Sequence, residues 1–214
     1  MTKLSGRQIA DAGLTGWANL LGGLQTRIHT GDFATGLAVV NSIGAAAETM
    51  DHHPDLALRY GQVDVRLTSH DEHGVTERDL ALARAINVIV ADAGLRLASA
   101  GLSRLELGLD TPAYESILPF WQAVLGTEAD GSGNEVRDPA DQFPTIWFQR
   151  SAGEEPRQRW HWDLWIEPDQ VQPRIDAALA AGGTLVSADE APAFWVLADA
   201  EGNNICLCTW QDRD

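Results

Sequence analysis

From Arg104 onward the chain runs twice through one order of elements, and few folds accommodate that. Leu105, Leu107 and Leu109 alternate with other residues as a strand. A helix carrying Ile117, Phe120, Trp121, Val124 and Leu125 follows, and a turn-rich stretch leads to a strand over 145–149. The second pass opens with a strand over 160–166. It continues with a helix over 171–181 that stops at Gly182 and Gly183, then strands near Leu185, over 194–197 and over 205–208. Two βαβββ-like passes of about 50 residues each predict a unit of two similar halves, because one such pass cannot bury its apolar face alone.

The first 95 residues read differently. Asp32 stands as N-cap before Phe33, Leu37, Val40, Ile43 and Ala47, whose three- and four-residue spacing predicts an amphipathic helix to about Met50. In Asp51-His52-His53-Pro54 the proline forces an extended or turning backbone. Val63, Val65 and Leu67 alternate with Asp64, Arg66 and Thr68, a strand with one buried face. Thr76-Glu77-Arg78-Asp79 resembles a capping box and opens a second helix reaching about Ala93. The expected fold class is α+β: two long helices on a small antiparallel sheet over 1–95, a linker over 96–103, and the paired βαβββ unit over 104–214.

The 214 residues carry a net charge of −16, divided as −4 over residues 1–95 and −12 over the rest. Such a surface repels polyphosphate, which argues against nucleic acid as a partner. No run approaches the ~18 apolar residues of a membrane span, and the N-terminus lacks the uninterrupted apolar core of a secretory signal. Two cysteines, Cys206 and Cys208, cannot staple a fold, so the expected compartment is the cytoplasm. Basic residues are almost all arginine, with Lys3 the single lysine; with abundant Ala and Gly this composition suggests a bacterial source.

Histidine is scarce, six in total, yet four fall between residues 52 and 73. By period two, His70 shares a face with Asp64, Arg66 and Thr68 rather than with the apolar set, so it is not a core residue. For His52 and His53 a plain polar loop is an equally good reading from spacing alone, and Asp79 can simply cap its helix. Three imidazoles brought together suit general acid–base work, because their ordinary pKa of ~6.5 keeps both protonation states within reach. A metal site competes, but adjacent His52 and His53 point in different directions in an extended segment and rarely bind one ion.

Here the pattern becomes specific. Glu48, His52-His53-Pro54, Tyr60, His70 and Asp79 resemble, in identity and spacing, the active-site signature of the pterin-4a-carbinolamine dehydratases. The segment DHHPDLALRYGQVDVRLTSHDEHGVTERDLALA is similar throughout, as is the upstream pattern of Gly16, Trp17, Gly22, Gly23, Leu24, Phe33, Thr35, Gly36, Leu37, Val40 and Asn41. The resemblance spans about residues 3–94. It implies a lyase that dehydrates a 4a-hydroxytetrahydropterin to quinonoid dihydropterin and water. His52, His53 and His70 would carry the proton transfers, and Asp79 would orient an imidazole. Glu48, Pro54 and Tyr60 would contact the pterin or steady the loop. No metal or organic cofactor is implied, and dimers or tetramers of the chain are. Which histidine is acid and which is base stays open.

Residues 104–210 resemble the glyoxalase-like branch of the vicinal oxygen chelate superfamily, through LELGLDTP, FWQAVLG, RWHWDLWIEP, AALAAGGTLV and LADAEGNNICL. Metal-dependent members place one ligand on each of four strands, and motif alignment puts Glu106, Gln149, His161 and Cys206 there. Gln149 is a weak neutral ligand and Cys206 stands where a carboxylate is usual, so no metal is expected, with Glu106, His161 and Cys206 as the candidates if one binds. Along the strand from Trp160, His161, Asp163 and Trp165 share one face, and an indole there could stack on a flat heterocycle. Alternative readings are a metal-dependent enzyme run by this second unit and a non-catalytic pterin-binding or dimerisation protein.

Overall fold

The computed structural model describes residues 2–125, 133–138, 141, 143–151, 160–198, 202 and 204–213; the side chains of Ser116, Pro119, Phe120, Ala123, Val124 and Leu125 are outside that description. The chain forms two compact units, one of residues 1–102 with 210–214 and one of residues 103–209. Among the described residues no helix is long and apolar enough to cross a membrane.

In the first unit Ser5 and Gln8 form a reciprocal capping box that opens α1 (Gly6–Asp11). β1 (Ala18–Leu20) and β2 (Gly23–His29) follow as a hairpin. α2 (Phe33–Met50) starts where the Asp32 carboxylate accepts the Thr35 N–H at 2.7 Å, as the sequence predicts. Next come β3 (Asp55–Arg59), β4 (Gln62–Leu67), α3 (Glu77–Asp92) and β5 (Arg96–Ala98). The antiparallel sheet has the order β1-β2-β4-β3, with β5 also paired to β2. Strict alternation in β4 buries Val63, Val65 and Leu67 against Ile43, Leu82 and Ile86 of the helices. Burial of this one core is the main force holding both helices on the sheet.

Residues 96–98 correct the linker expectation. Arg96, Leu97 and Ala98 pair with His29, Ile28 and Arg27, and half-buried Leu97 packs against the core. Three residues are too few for an alternation to stand out in the sequence, so the strand is recruited by the open edge of β2.

The second unit contains β6 (Arg104–Thr111), α4 (Tyr114–Leu125), β7 (Glu135–Val136), β8 (Thr145–Arg150), β9 (Trp160–Trp165), α5 (Val171–Ala180), β10 (Thr184–Ser187), β11 (Phe194–Ala198) and β12 (Asn204–Cys208). Its sheet order is β10-β11-β12-β9-β6-β8-β7. The first strands of the two passes, β6 and β9, meet antiparallel at the centre, and each has a later strand of its own pass parallel beside it, β8 and β12. Each half has its own apolar cluster. Leu109, Val136, Ile146 and Phe148 form one under α4; Ile166, Val171, Ile175, Leu197 and Leu207 form the other with α5. The turn-rich stretch expected after α4 lies largely outside the described residues.

Candidate functional site

α2 ends at Asp51 in the left-handed conformation (φ 48°, ψ 43°), and the His52 N–H closes back onto the Ala47 carbonyl at 3.1 Å. Pro54 then holds the chain extended into β3. Successive side chains of an extended segment face opposite ways. His52 therefore turns inward and is only 7% exposed, while the His53 side chain turns outward.

The register of the hairpin decides what else sits at this end. Asp55 is opposite Arg66, so the chain just before β3 lies beside the chain just after β4. That places His52 and His53 at the same end of the sheet as Ser69 and His70. Ser69 bridges to Gly74, closing a short loop whose first residues, His70–Glu72, form a single 3₁₀ turn. His70 is exposed, and among the described residues no partner for its ring is found. Tyr60 is 77% exposed at the β3–β4 tip, the other end of a five-residue strand that at ~3.3 Å per residue is roughly 17 Å long. The structure does not bring Tyr60 to the histidines within one chain.

Asp79, fully buried, organises the site. One oxygen, Oδ2, accepts the Thr76 N–H at 2.7 Å and the Ser69 hydroxyl at 2.8 Å. The other, Oδ1, lies 2.7 Å from His52 Nε2. The two readings of Asp79 from sequence therefore hold together: one oxygen caps α3 and the other meets the imidazole. A carboxylate oxygen accepts, so His52 donates its Nε2–H to Oδ1, and in the neutral ring Nδ1 is then the acceptor nitrogen. Outside, Glu48 Oε1 is 3.0 Å from His53 Nε2, one exposed side chain on another. Ser69 is the site residue that sequence reasoning missed. Its signal was present, since residues 63, 65, 67 and 69 are the inward positions of one alternation and Ser69 is the polar member of that set.

In the second unit the register puts Glu106, Gln149, His161 and Cys206 on one face of the sheet, because Glu106 pairs with Asp163, Asp163 with Cys206, Gly108 with His161, and Asp110 with Gln149. They do not converge as a metal centre. Glu106 accepts the Trp165 indole N–H at 2.8 Å, His161 Nε2 is 3.0 Å from Asp110, and Gln149 is exposed. Asp163 is engaged in turn by the Trp147 indole N–H at 3.1 Å. Among the described residues no three His, Cys, Asp or Glu side chains are grouped to hold an ion. Burial lifts the Glu106 carboxyl to about 7, and the neighbouring Glu135 and Asp163 charges add to that, against the Trp165 N–H.

Comparison with known proteins gives a separate answer for each unit. Residues 2–89 match the family described as pterin 4 alpha carbinolamine dehydratase, and residues 106–208 match the glyoxalase-like domain. A relative from Metallosphaera sedula is 39% identical over 89 residues, 41% of this chain and 93% of its own length. One from Mycobacterium avium is 38% identical over 92 residues, 42% of this chain and 98% of its own. Both are provisionally named pterin-4-alpha-carbinolamine dehydratases. A crystal structure of a transcriptional coactivator/pterin dehydratase from Brucella melitensis is 33% identical and covers 41% of this chain and 98% of its own, with a TM-score of 0.40.

Proposed function

The chain belongs, through residues 2–89, to the pterin 4 alpha carbinolamine dehydratase family, and from the arrangement around Asp79 we infer that it dehydrates a 4a-hydroxytetrahydropterin. The reaction is redox-neutral. The C4a–O bond breaks with its electron pair, the hydroxyl takes a proton and leaves as water, and N5 gives up its proton as the quinonoid dihydropterin forms. Two proton transfers of opposite sense are needed, one to oxygen and one from nitrogen.

The observation that carries this reading is the buried Asp79–His52 pair beside His53 and His70. His52, held by its Nε2–H, offers Nδ1 as a base in its neutral form, and the imidazolium formed on accepting a proton is met at once by the Asp79 carboxylate. The acid at the departing hydroxyl is then His53 or His70, each on the exposed side of the site. Glu48 at His53 Nε2 steadies that ring. None of the proton transfers needs a metal or an organic cofactor.

The test is direct. A 4a-hydroxytetrahydropterin is generated by an aromatic amino acid hydroxylase, and quinonoid dihydropterin absorbance is followed with and without the full chain. Acceleration proportional to protein concentration is expected. A folded protein that leaves the spontaneous rate unchanged overturns the assignment.

A further inference from the structure

We propose that Ser69 is a positioning residue of the dehydratase site, holding Asp79 in the orientation that fixes the His52 tautomer and anchoring the loop that presents His70. The proposal rests on the function inferred above, and its spectroscopic arm is independent of it.

Ser69 is 1% exposed, and its Oγ lies 2.8 Å from Asp79 Oδ2 and 2.8 Å from Thr76 Oγ1. The proton order along this chain follows from valence. Asp79 only accepts, so the single Ser69 proton goes to Oδ2. The Thr76 hydroxyl must therefore donate to Ser69, while its own oxygen accepts the Arg78 N–H at the start of α3. Both hydroxyl protons point toward the carboxylate. The Ser69 hydroxyl and the Thr76 N–H fill Oδ2, and Oδ1 is left to His52. Charge-assisted bonds of this kind are the stronger ones, and here they act on a fully buried carboxylate.

The backbone of the same residue closes the loop that carries His70. The Ser69 N–H donates to the Gly74 carbonyl at 2.8 Å, and the Ser69 carbonyl accepts from Glu72 at 3.1 Å and Gly74 at 3.3 Å. One residue thus joins the interior pair, through its side chain, to the exposed histidine, through its main chain. Outer partners that orient a metal-bound imidazole account for about 10–100-fold in metal affinity or activity when removed, and a loss of the same order is expected for a partner of the carboxylate that holds His52.

The experiment compares Ser69→Ala and Ser69→Thr with the wild-type full chain. Nitrogen-15 NMR of the histidine rings, assigned with His52→Ala, should show in the wild type an Nε2–H on His52 that is protected from exchange. Ser69→Ala should lose that protection while circular dichroism stays that of the folded chain, with kcat down about 10–100-fold and KM within about twofold. Ser69→Thr should restore both. Should Ser69→Ala not fold, Ser69→Cys keeps the volume with a weaker donor, and partial loss of protection is then expected. Unchanged His52 protection in the Ala or the Cys variant overturns the proposal. A wild type without dehydratase activity but with a protected His52 Nε2–H that Ser69→Ala loses would instead overturn the function and leave the positioning role standing.

Discussion

His52 and His70 differ in burial, and that difference separates catalysis from stability. His52 is 7% exposed and is the partner of a carboxylate that is itself fully buried. His52→Ala leaves Asp79 one donor short, and an unsatisfied buried acceptor costs about 1–3 kcal/mol. His70 is exposed, and a surface substitution of that kind is worth within about 0.5 kcal/mol. Both should lose about 10²–10⁴-fold in kcat, as expected of a group that moves a proton. Urea unfolding alongside turnover checks the pair; equal stability losses, or unchanged turnover in both, would contradict the assignment. The histidines and Asp79 were legible in sequence because their identities and spacing are distinctive. The division of Asp79 into a capping oxygen and an imidazole-binding oxygen was not, since spacing alone supports either role. Ser69 escaped notice because a serine beside a signature histidine reads as an ordinary strand end.

Elements were legible where the pattern was long. α2 and α3 start at the caps that the sequence marks, Asp32 and Thr76, and β4 shows the alternation expected of it. Short strands such as β1 and β5 were not, because three residues carry no period and their pairing is decided by the free edges of β2. In the second unit the repeat was read correctly, but the consequence of Gly108 in β6 needs the register. Trp147 on β8 reaches over β6 to donate to Asp163 on β9, and it can do so only because residue 108 has no side chain. A Cβ at Gly108 would lie 2.9 Å from the Trp147 ring and 3.1 Å from His161 Cβ. The rigid indole must then lift from the strand and release its N–H from Asp163. Gly108→Ala should destabilise the second unit by about 1–3 kcal/mol and shift its tryptophan emission. Retention of both wild-type stability and wild-type emission would show that the indole does not rest on that glycine.

Over the whole chain the excess of acid sets how stability depends on pH, and Glu106 gives that dependence a sign. Residues 96–214 carry −12 of the total −16, so self-repulsion grows as carboxylates ionise. Glu106 adds a specific component. Burial holds its carboxyl protonated to about 7 in the folded chain, against the ordinary 4.5 when unfolded. Between these values the folded state binds more protons than the unfolded state, so the free energy of unfolding falls as pH rises. The contribution is fully present below about pH 4.5, is lost through about pH 7, and totals on the order of 3 kcal/mol at about 1.4 kcal/mol per pH unit. Glu106→Gln keeps an oxygen for the Trp165 N–H and removes the titration. Relative to wild type it should gain on the order of 3 kcal/mol at pH 8 and nothing at pH 4, because general repulsion is common to both proteins and cancels in the difference. Six of the eight tryptophans lie within residues 103–209, so intrinsic fluorescence during urea unfolding reports this unit directly. Parallel pH profiles for the two proteins would mean that Glu106 is already ionised in the folded chain, and that a counter-charge, not a proton, balances the acidic face of this sheet.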